Sequence, residues 1–256
     1  IIRIVYFLKT NNISIIHSHG KAAGVLGRIS ALITGIPLVH TFHGIHISGK
    51  NFLSKLIYIL YEKIFGHINS FDVYVSESEK DMAKKYFVHP YNSSWIIPNG
   101  VRNYYNKTSS KSIRIKMRSE LNITKNAITV ITVCSLESVK NLFETLQVAK
   151  ICPDLSFWIV GEGSLLNKLQ KFINRYEISN VVLTGFSRNP NEFLCAADIY
   201  FSSSFREGHP LSILEAMSVG LPIVASDVAG NNQTITCTVP LPCIPGTHYG
   251  LQLVVC

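Results

Sequence analysis

Short apolar runs alternate with amphipathic stretches along the chain, and this alternation predicts its elements. Residues 13–17, 38–42, 71–76 and 95–97 read as strands, as do 129–133, 156–160, 181–184, 198–201 and 222–225. Each run is short, rich in β-branched or aromatic residues and bounded by turn formers. Ser18, His19 and Gly20 read as the exit turn of the first. Helical patterns lie between the strands: 22–34, closed by Gly35-Ile36-Pro37; 51–68; a helix from Ser78 with Asp81 in its first turn; 113–121; a turn and helix over 135–150; 165–176; and 191–197. Pro210 suits the first turn of one more helix, where its missing N–H costs nothing. Strands alternating with helices predict βαβ units, parallel sheets and the α/β class.

Two stretches stand apart. Over 51–68, Leu53, Leu56, Ile57, Leu60, Ile64 and Phe65 form one apolar stripe, with Lys55, Glu62 and Lys63 elsewhere. The stripe predicts a core-facing helix; the alternative is a face pressed on anionic lipid. Residues 104–112 are polar and serine-rich, as expected of a linker, and the domain boundary is expected near 108. This gives one domain over 1–108 and a second over 109–235. From Thr236 the composition changes. Cys237, Pro240, Pro242, Cys243, Pro245 and Gly246 crowd a segment with no Asp, Glu, Lys or Arg through Cys256. Residues 236–256 are therefore expected to be an irregular tail, an artificial or out-of-frame end. Starting at Ile1 rather than Met, the chain is expected to begin inside a longer parent.

Composition narrows the function classes. A chain of 256 residues with 47% hydrophobic residues can build a real core. No uncharged apolar run of about 18 residues is present, so no spanning helix is expected. Residues 1–8 are apolar but too short for a signal peptide. The formal charge is +8, but the cations are dispersed rather than blocked, which argues against nucleic acid. Cys134, Cys152 and Cys195 read as buried small hydrophobes. No CxxC pair suggests a metal, and a reducing cytoplasm fits.

The candidate chemistry centres on residues 205–222. Glu207 and Glu215 stand eight positions apart, separated by Gly208-His209-Pro210 and an apolar helical pattern. In open α/β sheets ligands bind beyond the carboxyl ends of strands, where this turn falls. The N-terminus of a helix with Pro210 in its first turn offers N–H donors to an anion. Gly208 lets backbone approach a ligand, and two carboxylates in one crevice suit sugar hydroxyls. The competing reading makes Glu207 a helix cap and Glu215 a solvated face residue. A second cluster, His17, His19, His40, His43 and His46, follows the first two strands. Its spacing lacks a compact metal pair, and packed, hydrogen-bonded histidines are the simpler reading.

The run Ser204-Phe205-Arg206-Glu207-Gly208-His209-Pro210, with Glu215-Ala216-Met217 and Gly220-Leu221-Pro222, resembles the EX7E signature of family 4 GT-B glycosyltransferases. The turn Thr41-Phe42-His43-Gly44 resembles that family's TxHG-like turn, and Pro98-Asn99-Gly100-Val101 its lead into the interdomain linker. The resemblance covers about residues 13–235. It implies two Rossmann-like α/β domains with parallel sheets, facing across a cleft and both incomplete. It implies a retaining, hexosyltransferase-type enzyme acting in polysaccharide, lipopolysaccharide or capsule synthesis, with a UDP- or GDP-linked sugar as donor. The acceptor would be a glycan or lipid-linked hydroxyl. No metal or other cofactor is implied. Residue by residue, Lys140 would neutralise the leaving diphosphate and Glu207 hold sugar hydroxyls, helped by backbone from Gly208, His209 and Pro210 to Leu211. Glu215 would bind the ribose. Gly161, Gly163, Gly185 and Phe186 would lie near the nucleotide, and His43 near the reacting carbon. His19 and Gly44 would lie on the acceptor side. The expected location is the cytoplasm, with peripheral contact to the inner membrane face as an option.

The pattern also departs from the family. Cys134-Ser135-Leu136 stands where Gly-Arg-Leu is usual, and a serine cannot supply the arginine fork. Weak donor binding, or a donor gripped differently, is expected. Arg102 replaces an acid after Val101, and residues 228–235 are expected to be a glycine-containing loop. A sugar-nucleotide epimerase on the same scaffold and a non-catalytic remnant are the rival readings.

Overall fold

The computed structural model describes residues 1–45, 51–66, 70–86, 94–102, 107–121, 123, 127–235, 239–240 and 251–254. The chain divides into two compact units, Ile1–Asn99 and Gly100–Cys256.

The first unit runs α1 (Ile2–Thr10), β1 (Ile16–His19), α2 (Gly20–Thr34), β2 (Leu38–Phe42), α3 (Phe52–Phe65), β3 (Ser70–Tyr74), α4 (Glu77–Lys85) and β4 (Ser94–Ile96). Its four strands are parallel in the order β1-β2-β3-β4. β1 starts later than expected and includes Ser18 and His19, because residues 16–19 register against 38–41 of β2. Gly35 ends α2 in the left-handed conformation at φ 73°, where glycine meets no Cβ penalty. The Ser76 hydroxyl caps α4 by accepting from Glu79 N–H.

The apolar stripe of 51–68 does not face the core. α3 instead buries Tyr58 and Glu62. Glu62 pairs with the fully buried Arg28 of α2, which also reaches Asp72 at 3.5 Å. A buried guanidinium needs carboxylates, and this requirement sets the roll of the helix. Phe52, Leu53, Leu56, Ile57, Leu60 and Ile64 are left 49–81% exposed.

The second unit runs α5 (Lys107–Glu120), β5 (Thr129–Val133), a 3₁₀ turn (Ser138–Lys140), α6 (Leu142–Ile151), β6 (Ser156–Val160), α7 (Leu166–Arg175) and β7 (Val181–Gly185). It continues through α8 (Pro190–Ala196), β8 (Ile199–Ser202), α9 (Leu211–Ser218), β9 (Ile223–Ser226), α10 (Ala229–Thr234), β10 (Val239–Pro240) and β11 (Leu251–Val254). The sheet order is β10-β11-β9-β8-β5-β6-β7. Strands β5 to β9 are parallel, and all but the edge strand β7, whose Val182 is exposed, are covered on both faces. Ile131, Trp158 and Val160 join Ile213 and Leu194 on one face. Val130, Phe157 and Ile159 join Leu142, Leu146 and Leu169 on the other. Alternate residues of β5, β6, β8 and β9 thus feed two cores, which is why these strands read as continuous apolar runs. Asp198 ties α5 to the sheet, accepting from Arg114, Arg118 and Thr129 N–H.

Further differences from the sequence reading arise here, the first being that residues 107–112, expected in a linker over 104–112, open helix α5. Residues 229–234 are helix α10 rather than a loop, and Pro210 is the residue before α9 rather than in its first turn. Within 236–256, β10 and β11 pair antiparallel and β11 adds antiparallel to β9. Backbone pairing along the β9 edge was not visible in a segment crowded with Pro and Cys; Cys237, Pro242, Cys243, Pro245 and Gly246 lie outside the described residues. Of the three cysteines read as buried, Cys195 is buried, while Cys134 and Cys152 are half-buried.

Candidate functional site

The second sheet reverses its winding between β5 and β8, since the chain proceeds from β5 to β6 and β7 on one side and from β8 to β9 on the other. A crevice at the carboxyl ends of such a pair is where doubly wound sheets take ligands. Lys140 follows β5 and Glu207 follows β8. Lys140 Nζ donates to Glu207 Oε1 at 2.7 Å, with both side chains largely buried.

The loops that carry this pair are fastened to each other. Phe205 N–H donates to Val139 O at 2.9 Å. The Ser203 hydroxyl bonds to the carbonyls of Lys140 and Asn141 and to the Thr145 hydroxyl. Ser226 Oγ donates to Ser204 O, and Asn231 Nδ2 donates to Ser226 O. Gly230 of α10 lies so close that a Cβ there would stand 2.2 Å from Glu207 O. Ser203, Ser226, Gly230 and Asn231 were not singled out from sequence. The triplet Ser202-Ser203-Ser204 at the exit of a strand was the available signal, because three small hydroxyls beyond an apolar run favour backbone bonds.

Helix α9 starts at Leu211 without a side-chain cap. Tyr200 OH donates to Ser212 Oγ at 2.8 Å. Burial drives the Tyr200 hydroxyl above its ordinary range, with added effect from Cys134, Glu207 and Glu215. Glu215 is half-buried, and burial raises its carboxyl above the usual range. Burial lowers the His209 imidazole.

A pocket of about 390 Å³ opens beside this corner, lined by Val133, Cys134, Ser135, Val160, Gly161, Glu162, Phe186, Ser187 and Pro190. It brings Gly161 and Phe186 together with Ser135, the position without the arginine fork. Lys140, Glu207 and Glu215 do not line it. Cys134 links the two regions: its thiol is pushed up to about 12 by burial, opposed by the Lys140 charge and reinforced by Glu207. Gly161 N–H donates to Gly185 O at 2.9 Å. Gly161 and Gly163 adopt φ of 144° and 159°, and a Cβ would stand 1.9 Å from Cys134 O and 2.7 Å from Leu136 N and O respectively. These glycines allow the loop after β6 to cross against the loop after β5. Ser164 seals the crossing, donating from its N–H and Oγ to the Glu137 carboxylate. Those bonds hold the Glu137 carboxyl below its ordinary range.

In the first unit, His19 Nδ1 and His43 Nε2 stand 3.0 Å apart, and the His17 ring lies 4.1 Å from the His19 ring. His17 Nε2 meets Thr41 Oγ1 at 2.9 Å. His43 is lowered by burial first, then by His19 and His17. Its turn, including Gly44, is held from α4, where Glu79 accepts from Ile45 N–H at 2.7 Å. His40 is a core residue bonded to Ser18 and lowered to about 3 by burial and by Arg28. The five histidines thus divide: three converge at the strand tips, His40 packs inside, and His46 lies outside the described residues. Among the described residues no group of three or more His, Cys, Asp or Glu is arranged to hold a metal.

Two family models match the chain, glycosyl transferases group 1 over residues 113–240 and glycosyltransferase family 4 over residues 1–103. An Escherichia coli UDP-Gal:alpha-D-GlcNAc-diphosphoundecaprenol alpha-1,3-galactosyltransferase is 31% identical over 91% of this chain and 62% of its own length. An alpha-monoglucosyldiacylglycerol synthase of Streptococcus pneumoniae is 27% identical over 85% of this chain and 52% of its own. The chain thus spans between half and two thirds of these relatives. Among solved structures, Anabaena Alr3699/HepE in complex with UDP and glucose superposes with a TM-score of 0.80 at 20% identity, covering 93% of this chain and 65% of that one. This last similarity is one of fold.

Proposed function

The chain belongs to the glycosyl transferases group 1 family, with a GT-B α/β fold, and from that premise we propose that its protein moves a sugar from a nucleotide-sugar donor to a hydroxyl acceptor with retention at the anomeric carbon. The Lys140–Glu207 pair at the sheet's switch point carries this reading. Lys140 offsets charge growing on the leaving diphosphate, aided by the N–H groups at the start of α9. Glu207 accepts from sugar hydroxyls, with backbone from Gly208 to Leu211 beside it. Glu215 accepts from the ribose. The pocket beside Phe186 takes the base, and His43 serves the transferred sugar or the acceptor.

The donor is UDP- or GDP-linked in this reading. The E. coli relative's UDP-Gal donor and diphosphoundecaprenol-linked acceptor make a uridine donor and a lipid-linked glycan the first pair to assay. Synthesis of polysaccharide, lipopolysaccharide or capsule is the corresponding process. A lipid-linked acceptor suits a cytoplasmic enzyme held at the inner membrane face, and the exposed apolar stripe of α3 is the surface we assign to that contact.

The test is Glu207→Ala in the full-length protein, assayed for donor hydrolysis and transfer against a panel of UDP and GDP sugars. Turnover is expected to fall by about 10²-fold or more, as for removal of one transition-state contact, a loss larger than the lowered melting temperature accounts for, since Lys140 is left without its carboxylate. Unchanged turnover rejects the role of Glu207.

A further inference from the structure

The Lys140–Glu207 contact poses a chemical difficulty for any diphosphate arriving at the site. An ammonium already matched to a carboxylate at 2.7 Å presents little field to a phosphate, and the carboxylate itself repels one. The contact is not a loose surface encounter. Val139 O and Lys140 O are held by Phe205 N–H and the Ser203 hydroxyl, and the Glu207 carbonyl rests on Gly230. Both side chains are largely removed from water, so the pair is little screened. Breaking it leaves two charges needing new partners.

An intact nucleotide sugar supplies both partners: phosphate oxygens for Lys140 and sugar hydroxyls for Glu207. A bare nucleoside diphosphate supplies only the first and strands the Glu207 charge beside its own. We propose that Glu207 is an internal competitor of the diphosphate for Lys140, so that it favours the intact donor over the bare nucleotide and speeds release of the nucleotide after transfer. The inference rests on the donor-site reading above and adds to Glu207 a role distinct from holding the sugar.

The experiment measures binding of UDP, GDP and ADP to the full-length protein by calorimetry, in wild type, Glu207→Gln, Lys140→Met and the double variant. The glutamine side chain keeps a hydrogen-bond acceptor for Lys140 while removing the charge. Glu207→Gln is expected to bind the cognate nucleotide about tenfold more tightly, a typical size for coupling between competing contacts. Most of the gain should be lost in the Lys140→Met background, because the competition acts through Lys140, leaving only the share due to direct repulsion between carboxylate and phosphate. Glu207→Asp, one methylene shorter, gives the same direction and serves if Glu207→Gln does not fold. Unchanged or weaker binding in the Glu207 variants overturns the competition, as does a gain of undiminished size without Lys140. A wild type that binds a nucleotide while the Glu207 variants show no gain sinks this inference alone. Absence of binding in every variant sinks the donor-site reading with it, whereas binding confined to the Glu207 variants supports the competition.

Discussion

Gly161 has no room for a side chain. Its φ of 144° is one that L-residues rarely adopt, and the carbonyl of Cys134 occupies the place of a Cβ. Backbone bounds it on both sides, since its N–H is bonded to Gly185 O and the neighbouring Cys134 N–H to Val160 O. Gly161→Ala is therefore expected to cost about 3 kcal/mol through backbone strain and displacement of the β5 loop. Gly185, at φ 79° with open space around it, is the control, and Gly185→Ala is expected to cost about 1 kcal/mol. Denaturant unfolding of the two variants checks this; equal costs would mean that the loop crossing yields easily. The Gly161-Glu162-Gly163 turn was legible as a glycine turn after a strand. Its reason was not, because Cys134 and Leu136 lie some 25 residues back in the chain. Lys140 and Glu207 were likewise identifiable one at a time through the family pattern, while their ion pair, spanning 67 positions, depends on strand order.

Most elements were legible because strands buried on both faces must be apolar throughout, and the helices between them announce themselves by turns and caps. The α3 helix shows where periodicity misleads. An apolar stripe says that a face wants to leave water, not which neighbour will cover it. Here Glu62 competes with the stripe and wins, because Arg28 is buried and Glu62 is its nearest counter-charge. The resulting surface carries Phe52, Leu53, Leu56, Ile57, Leu60 and Ile64, with Lys63 exposed at its edge and the one acid of the helix turned inward. That arrangement matches a helix lying at an anionic lipid surface. Leu56→Gln with Leu60→Gln is expected to lower binding to phosphatidylglycerol vesicles at least about tenfold, since each leucine contributes on the order of 1.5–3 kcal/mol when buried. Both side chains are about half exposed, so the melting temperature should hold. Vesicle co-sedimentation reads the result, and unchanged binding would remove α3 as the docking face.

At the scale of the molecule, each unit has its own ionic clamp, and the two titrate with opposite sign. In the second unit, burial works against Asp198, yet bonds from Thr129 N–H and Arg114 hold its carboxyl below the ordinary range. Its stabilisation is present above the unfolded pKa and is lost as pH falls through the depressed value. In the first unit, burial pushes Asp72 up to about 7, opposed by the Arg28 charge and reinforced by Glu62. Its contribution is complete below the unfolded value and is lost as pH rises through about 7. His40, lowered to about 3, faces the same Arg28 and acts in the other direction, because an imidazole kept neutral when folded loses stability to the unfolded chain as acid protonates the latter. His17 and His43, lowered at the strand tips, add to the His40 side. Asp72 and the histidines therefore oppose one another between about pH 4 and 6.5, and the wild-type curve alone would conceal both. The difference between wild type and Asp72→Asn removes the histidines from the comparison. Relative to wild type, Asp72→Asn is expected to gain stability as pH rises from 5 through 7, by up to about 1.4 kcal/mol per pH unit, and then to level off above pH 8. Asp198→Asn should show a loss that does not vary over that range, since its titration lies wholly below it. Calorimetry at several pH values, resolving separate transitions where the units unfold apart, makes the measurement. A difference for Asp72→Asn that stays flat from pH 5 to 8 would mean that Arg28 keeps the Asp72 carboxylate ionised.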